Sequence, residues 1–167
     1  MSKSLIVYFS RTGENIVRDE REIIEKGFTE IVAEKICGMV GGTLLKLQPA
    51  VPYPEDYDEC NKRARYEDEE NIFPEIVNLP NSIAEYDTIY LGFPLWYRSY
   101  PRIIATFISK YSFVGKTIKP FCTNEEGNLG MCELELKSSI KGAIIRQGLA
   151  IRGHDAKDAD EVIKNWV

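Results

Sequence analysis

At 167 residues the chain is long enough to bury a substantial core within one domain. Hydrophobic residues make up 44% and charged residues 28%, ordinary values for a globular protein, and no apolar run approaches the ~20 residues of a membrane span. A formal net charge of −5 argues against nucleic acid or an anionic membrane as the main partner, and leaves basic surfaces of other proteins as the complementary kind.

The first apolar run, Leu5–Phe9, reads as a buried strand that ends in the polar turn Ser10-Arg11-Thr12-Gly13-Glu14-Asn15. Lys3 and this short run do not make a signal peptide, so cytoplasmic residence is the expectation. Charged residues crowd positions 18 to 25, and a second turn, Gly27-Phe28-Thr29-Glu30, then opens a helix over Thr29–Val40, with Val32, Ile36 and Val40 on one stripe. A second strand follows at Leu44–Leu47. Pro54–Asn71 is a weaker helical pattern with Tyr57, Cys60 and Ala64 as its apolar side, and Glu67–Ser82 reads as a long surface excursion. Thr88–Gly92 is a third strand, followed by a helix over Pro101–Tyr111. Thr117–Cys122 is a fourth, followed by helical spacing of Leu136 and Ile140 within Leu129–Ile140. A shorter fifth strand, Leu149–Arg152, precedes a helix over Asp155–Trp166 that places Ala159, Val162, Ile163 and Trp166 inward, with Asp155 suited to its N-cap.

Continuous apolar strands fit a parallel sheet covered on both faces, and their alternation with helices predicts right-handed crossovers in a doubly wound α/β sandwich of three layers. In such a sheet ligands bind beyond the carboxyl ends of the strands, where strand order reverses. Three loops lie there. Ser10-Arg11-Thr12-Gly13 offers hydroxyls and backbone N–H groups for a phosphate. Phe93-Pro94-Leu95-Trp96-Tyr97-Arg98 offers a flat apolar face for an aromatic ring. Thr123-Asn124-Glu125-Glu126-Gly127-Asn128 can bring backbone amides to the edge of that ring. A phosphate at one end and an aromatic plane at the other describe a mononucleotide.

The segments LIVYFSRTG, YDTIYLGFPLWYRSYPRIIATFI and KTIKPFCTNEEGNLG resemble the three FMN-binding strand-loop segments of flavodoxin-like proteins, and the likeness extends over nearly the whole chain. It implies one flavodoxin-like domain over 1–167 with a five-stranded parallel sheet in the order 2-1-3-4-5, the arrangement for which flavodoxin is the standard instance. It also implies FMN as cofactor, with Tyr97 stacking on the ring and Trp96 flanking it or facing the core. G-x-G-x-x-G and G-x-x-x-x-G-K-[ST] are both missing from the sequence.

The family's phosphate loop runs as Ser/Thr-x-Thr-Gly-x-Thr straight into its helix. Here Ser10, Arg11, Thr12 and Gly13 begin it, Asn15 stands where a Thr is expected, and Gly27, Phe28 and Thr29 look like its second half. Two arrangements remain open. Both halves can cap one phosphate, with Thr29 at an N-cap and residues 16–26 as an excursion over the site. Alternatively, Thr12 to Asn15 suffice and the charged run extends the first helix. The flavin-binding set expected is therefore Ser10, Arg11, Thr12, Gly13, Asn15, Gly27, Phe28, Thr29, Pro94, Leu95, Trp96, Tyr97, Thr123, Asn124, Gly127 and Asn128. Arg98 has no fixed role.

Glu125 and Glu126 read as solvated loop charges that would lower the flavin potential if they stood near it. Cys37, Cys60, Cys122 and Cys132 form no C-x-x-C pair and read as buried thiols, and His154 reads as a surface residue, so neither a catalytic group nor a metal site is expected. Electron transfer to redox partner proteins or small quinone-like acceptors is the leading functional expectation, with the protein a monomer or a homodimer. An FMN-dependent NAD(P)H:quinone-type oxidoreductase is the alternative, and a non-redox interaction module of the same fold is a third reading.

Overall fold

Along the first strand Leu5, Val7 and Phe9 alternate with Ile6 and Tyr8, and the two sets bury in separate cores on opposite faces of one sheet. In the computed structural model, which describes residues 2–167, that strand is β1 (Ser4–Tyr8). It pairs in parallel with β4 (Thr43–Lys46) on one side and β5 (Thr88–Pro94) on the other. β5 continues to β6 (Thr117–Thr123), and the last position is shared by two short strands, β7 (Ile144–Ile145) and β8 (Leu149–Ile151). Counted by position, the order is the expected 2-1-3-4-5, all parallel.

Five helices cover this sheet: α1 (Phe28–Val40), α2 (Tyr57–Glu69), α3 (Arg102–Lys110), α4 (Cys132–Ser139) and α5 (Asp160–Trp166). One core joins Cys60 of α2, Ile103, Ile104 and Phe107 of α3, and Cys132 and Leu136 of α4 to the sheet. The opposite core joins Val32, Ala33 and Ile36 of α1 and Ile163 of α5 to Ile6, Tyr8, Tyr90 and Phe121. The result is a three-layer α/β/α sandwich. Gly92 is required by close packing, since a Cβ there would come within 2.1 Å of the Phe121 ring.

Three local readings change. The charged run after β1 does not extend α1; of the two arrangements left open it takes the form of an excursion. It is an antiparallel hairpin, β2 (Gly13–Val17) and β3 (Glu20–Ile24), closed by Arg18 and Asp19 at φ 50° and 69°. A two-residue turn with both residues left-handed matches the twist of a hairpin, so local sequence preference yields to the ladder. Asp155 is not an N-cap: it lies inside a 3₁₀ turn over Gly153–Asp158, because Ala156 and Ala159, three apart, both bury. α5 starts later, and Val162 is left half exposed. Within Glu67–Ser82 the first residues complete α2. There Glu67 is buried, accepts a 2.5 Å hydrogen bond from the Tyr53 hydroxyl and faces Arg63 at 3.5 Å, so this part is not surface. The fifth strand stands where expected, as β8, and a further short strand, β7, precedes it; at residues 146–148 between them Glu133 accepts the Gly148 N–H at 2.5 Å and the Trp166 indole N–H donates to the Gln147 carbonyl at 2.9 Å.

No helix among the described residues is long and apolar enough to cross a membrane.

Candidate functional site

The carboxyl ends of β1, β5 and β6 open into a cleft of about 1030 Å³. Its floor at one end is the start of α1. Gly27, in extended backbone, precedes the helix and lies so close to Ser10 that a Cβ would come 2.0 Å from the Ser10 Oγ. That oxygen accepts the Glu30 N–H at 3.1 Å. The Phe28 and Thr29 N–H groups, at the first two helical positions, have no intrahelical acceptor and sit at the positive end of the helix dipole. Thr29 is therefore not the N-cap its residue type suggested. Its buried hydroxyl instead lies 2.7 Å from that of Thr123, joining the helix start to the end of β6.

The first turn is placed differently. Arg11 donates to the Pro54 carbonyl at 3.0 and 3.2 Å, to the Glu55 carbonyl at 2.6 Å and to the Glu14 carbonyl at 2.5 Å, so its guanidinium fastens backbone and has few donors left for a ligand. Thr12 Oγ1 is 3.5 Å from a Glu55 carboxylate oxygen. Gly13 has a φ of 85°, with Glu55 packed where a Cβ would stand. Asn15 donates to the Gly13 carbonyl at 3.2 Å and lines the cleft. Thr12 and Gly13 thus form the base of the hairpin against the segment before α2, while Ser10 and Gly27 meet at the helix start.

The second loop continues the ladder: the Leu95 N–H donates to the Thr123 carbonyl at 3.0 Å, directly after Pro94. Trp96 and Ser99 exchange backbone hydrogen bonds of 2.9 and 3.0 Å around Tyr97 and Arg98, both left-handed at φ 50° and 65°. Trp96 turns inward, edge-on to Phe9 and Tyr53 at centroid distances of 5.5 and 5.2 Å, but still lines the cleft. Tyr97 stays exposed, its hydroxyl bonded to the Asn61 side chain on α2. Partial burial raises its phenol pKa. Arg98 lines the same mouth, and its carbonyl accepts the Met131 N–H at 2.6 Å.

The third loop is organised by Asn124. Its side-chain oxygen accepts the N–H groups of Gly127 and Asn128 at 2.7 and 3.3 Å, and its amide donates to the Asn128 carbonyl at 2.7 Å. Gly127 supplies the left-handed turn at φ 70°. Asn128 accepts the Gly130 N–H at 3.0 Å within the loop, and the Met131 N–H to the Arg98 carbonyl holds it against the Tyr97–Arg98 turn.

Two expectations for single residues change. Glu125 is not a solvated charge: its Oε2 lies 2.5 Å from His154 Nδ1 and accepts the Arg18 N–H at the hairpin tip at 3.4 Å. Its Oε1 is buried with no partner among the described residues. His154 is correspondingly tucked in, with 18% of its side chain exposed. Cys122 is buried as expected, beside the Cys132 thiol at the start of α4, and that contact together with burial pushes its pKa far up. Neither pairing leaves a signal in sequence, because each joins residues on different loops or elements. No cluster of three or more His, Cys, Asp or Glu side chains fit to hold a metal occurs among the described residues.

The sequence model of the Flavodoxin family matches residues 23–167. Among solved structures, a protein assigned as a flavoprotein from Bacteroides uniformis is 32% identical, with a TM-score of 0.80 over 99% of this chain and 97% of the other. A second from Bacteroides eggerthii is 30% identical, with a TM-score of 0.75 over 98% of both chains. A flavoprotein from Lactobacillus acidophilus, solved in complex with FMN, shares the fold at 22% identity and a TM-score of 0.69 over 99% of both chains. No curated protein matches the sequence. With a family match across most of its length and relatives of this identity covered end to end, the chain belongs to the flavodoxin family.

Proposed function

We propose that the chain binds FMN in this cleft and serves in electron transfer. The observation that carries the reading is that one cleft is lined both by Phe28, the first residue of α1 directly after the Ser10–Gly27 contact, and by an aromatic pair, Trp96 and Tyr97. The residues fit the group. The Phe28 and Thr29 N–H groups have no intrahelical acceptor, Gly27 lets the helix start close against Ser10 where a Cβ would clash, and Tyr97 exposes 45% of its surface. The Lactobacillus relative crystallised with FMN supports the same choice.

In this reading Ser10, Gly27, Phe28 and Thr29 would hold the phosphate through backbone N–H donors and the helix dipole. Thr123, Asn124, Gly127 and Asn128 would present backbone to the ring edge, with Leu95, Trp96 and Tyr97 against its faces. Bound flavin supplies one- and two-electron redox chemistry, and the protein sets its potential and its exposure. The net charge of −5 suits docking to basic surfaces of redox partner proteins.

A second reading, an NAD(P)H:quinone-type oxidoreductase, draws on the size of the cleft, whose 1030 Å³ would leave space for a small acceptor beside the ring. One experiment separates the two. The protein is titrated with FMN, and the complex is then reduced in steps while its absorbance is followed. FMN binding with no rapid bleaching by NAD(P)H supports the carrier. Rapid bleaching by NAD(P)H, reversed by a quinone, supports the oxidoreductase, and failure to bind FMN overturns both.

A further inference from the structure

We propose that two copies of this chain join along the outer edge of β3, strand to strand, about a two-fold axis at Ile23. The proposal stands whatever occupies the cleft.

The hairpin ladder decides which backbone groups are free. Arg18 and Asp19 form its two-residue turn, so Val17 and Glu20 are a hydrogen-bonded pair, and bonded pairs alternate with non-bonded ones from there. Asn15 with Glu22 and Gly13 with Ile24 are bonded; Ile16 with Arg21 and Glu14 with Ile23 are not. Residues of the non-bonded pairs aim their N–H and C=O groups out of the ribbon. The β2 side shows this directly, since the Glu14 N–H donates outward to the Glu55 carbonyl at 2.8 Å. On the β3 side the backbone groups of Arg21 and Ile23 have no partner among the described residues.

That edge is open and held in place. Residues 20–23 are exposed, and Ile23 leaves 80% of its surface to solvent. Beside it, Ile23, Ile24 and Phe28 line a hollow of about 600 Å³ with Lys26, Lys35 and Lys157. A two-stranded ribbon is marginal by itself. This one is steadied from its other side, by the bidentate pair of Arg21 with Asp58 of α2 at 2.7 and 2.8 Å and by the Tyr57 N–H, which donates to a Glu14 carboxylate oxygen at 3.1 Å.

The segment Glu20-Arg21-Glu22-Ile23-Ile24-Glu25-Lys26 matches itself when reversed. Laid antiparallel on a second copy with Ile23 opposite Ile23, it sets Arg21 opposite Glu25 and Glu20 opposite Lys26, each twice by symmetry. Glu22 falls opposite Ile24, so no like charges meet. Ile23 is an outward residue and can exchange both backbone bonds with its copy, while Glu25 and Lys26, just past β3, pair through side chains. Centring the pair on Arg21 or Glu22 instead sets like charges directly opposite. The Ile23 register also brings Asp19 and Glu20 of the second copy to the lysine side of the hollow. Arg21 and Lys26 already hold Asp58 and Glu34 of their own chain, so the cross pairs widen networks of alternating sign. The contact is isologous and closes at two copies. A single strand pair buries little area, which makes the dimer weak, roughly micromolar or weaker.

The test is sedimentation velocity of the full chain up to roughly 1 mM, paired with residue-resolved amide exchange. A concentration-dependent dimer is expected, in which exchange slows at Arg21 and Ile23 but changes little at Glu20, Glu22 and Ile24, already bonded within the hairpin. Ile23→Pro removes an outward donor and no bond of the β2–β3 ladder, and is expected to weaken the dimer at least ~10-fold. Glu20→Lys is expected to weaken it at least ~3-fold, and Glu20→Lys/Lys26→Glu to recover most of that loss. Should proline disturb the hairpin itself, the charge exchange decides. A monomer at every concentration overturns the proposal. So does a dimer that leaves exchange at Arg21 and Ile23 unchanged, or one that the double exchange weakens further than Glu20→Lys alone.

Discussion

Thr29 and Thr123 share a buried hydroxyl-to-hydroxyl hydrogen bond of 2.7 Å, which fastens the start of α1 to the carboxyl end of β6. Phe28 of α1 and Thr123 of β6 both line the cleft, at the end where the proposal puts the phosphate, so this one contact sets their spacing. Thr29→Val keeps the side-chain shape and leaves the Thr123 hydroxyl buried and unpaired. The expected loss is about 1–3 kcal/mol of stability in urea unfolding and roughly tenfold in FMN affinity by titration. Unchanged FMN affinity would show that the second turn does not complete the phosphate site.

Gly27 and Gly38 form a paired test of the helix start. A methyl group at Gly27 would stand 2.0 Å from Ser10 Oγ and 2.8 Å from the Arg11 carbonyl, whereas one at Gly38 meets nothing within 4 Å. Gly27→Ala is expected to lower FMN affinity at least ~10-fold. Gly38→Ala, within the same helix, is expected to raise stability by about 0.5–1 kcal/mol through helix propensity while leaving FMN binding alone. Equal effects of the two on FMN binding would remove the special role given to Gly27.

The hairpin's tie to α2 should depend on pH. Arg21 holds the Asp58 carboxyl below its ordinary value of 3.8, chiefly through their hydrogen bond. A carboxyl depressed in the folded state contributes fully above the unfolded value and loses that contribution as pH falls through the folded one. Amide exchange at β2 and β3 should therefore be insensitive to pH-driven loosening at neutrality, after correction for intrinsic rates. It should accelerate relative to the sheet core below about pH 3.8. Arg21→Ala should abolish that difference.

Glu125 stands closer to being a tuning residue than Glu126, which is exposed. A partly buried negative charge beside the cleft opposes added electrons. Glu125→Gln is expected to raise the flavin midpoint potential by some tens of millivolts. Glu126→Gln should shift it much less. Redox titration of the two variants checks the order, and equal shifts would assign the effect to overall charge.

Tyr53 links the aromatic cluster behind Trp96 to a buried acid. Its hydroxyl donates to Glu67, and burial together with that carboxylate drives its pKa far up, so it stays protonated. Tyr53→Phe removes the donor and leaves the carboxylate facing Arg63 alone, at 3.5 Å. A loss of about 1–3 kcal/mol in urea unfolding is expected, with Tyr53→Phe/Glu67→Met recovering part of it.

The sheet was legible because its strands are short apolar runs separated by strong turn chemistry, and because those runs alternate with amphipathic helices. The start of α1 was legible in outline: Gly27-Phe28-Thr29 has the look of a helix start, and it meets Ser10 from far back in the sequence. The hairpin between them was not. Glu20, Arg21 and Glu22 give β3 no apolar alternation, and Arg18-Asp19 lacks the Asn-Gly character that usually marks a two-residue turn. Thr29 shows the limit of reading by residue type, since its hydroxyl was suited to a cap and is used instead to bond across the site. Glu125 with His154, and Cys122 with Cys132, were illegible for another reason. Each pair meets only after the loops around β6 fold back, so no local spacing encodes it.

The gap between β7 and β8 has a consequence for behaviour at high concentration. An uninterrupted outer strand would present a row of free N–H and C=O groups on which another chain could add itself. Here β7 and β8 are two and three residues long, and the backbone between them is already bonded by Glu133 and Trp166. The sheet thus ends in an edge too short and too occupied to act as a template, which protects the folded chain from edge-to-edge polymerisation on that side.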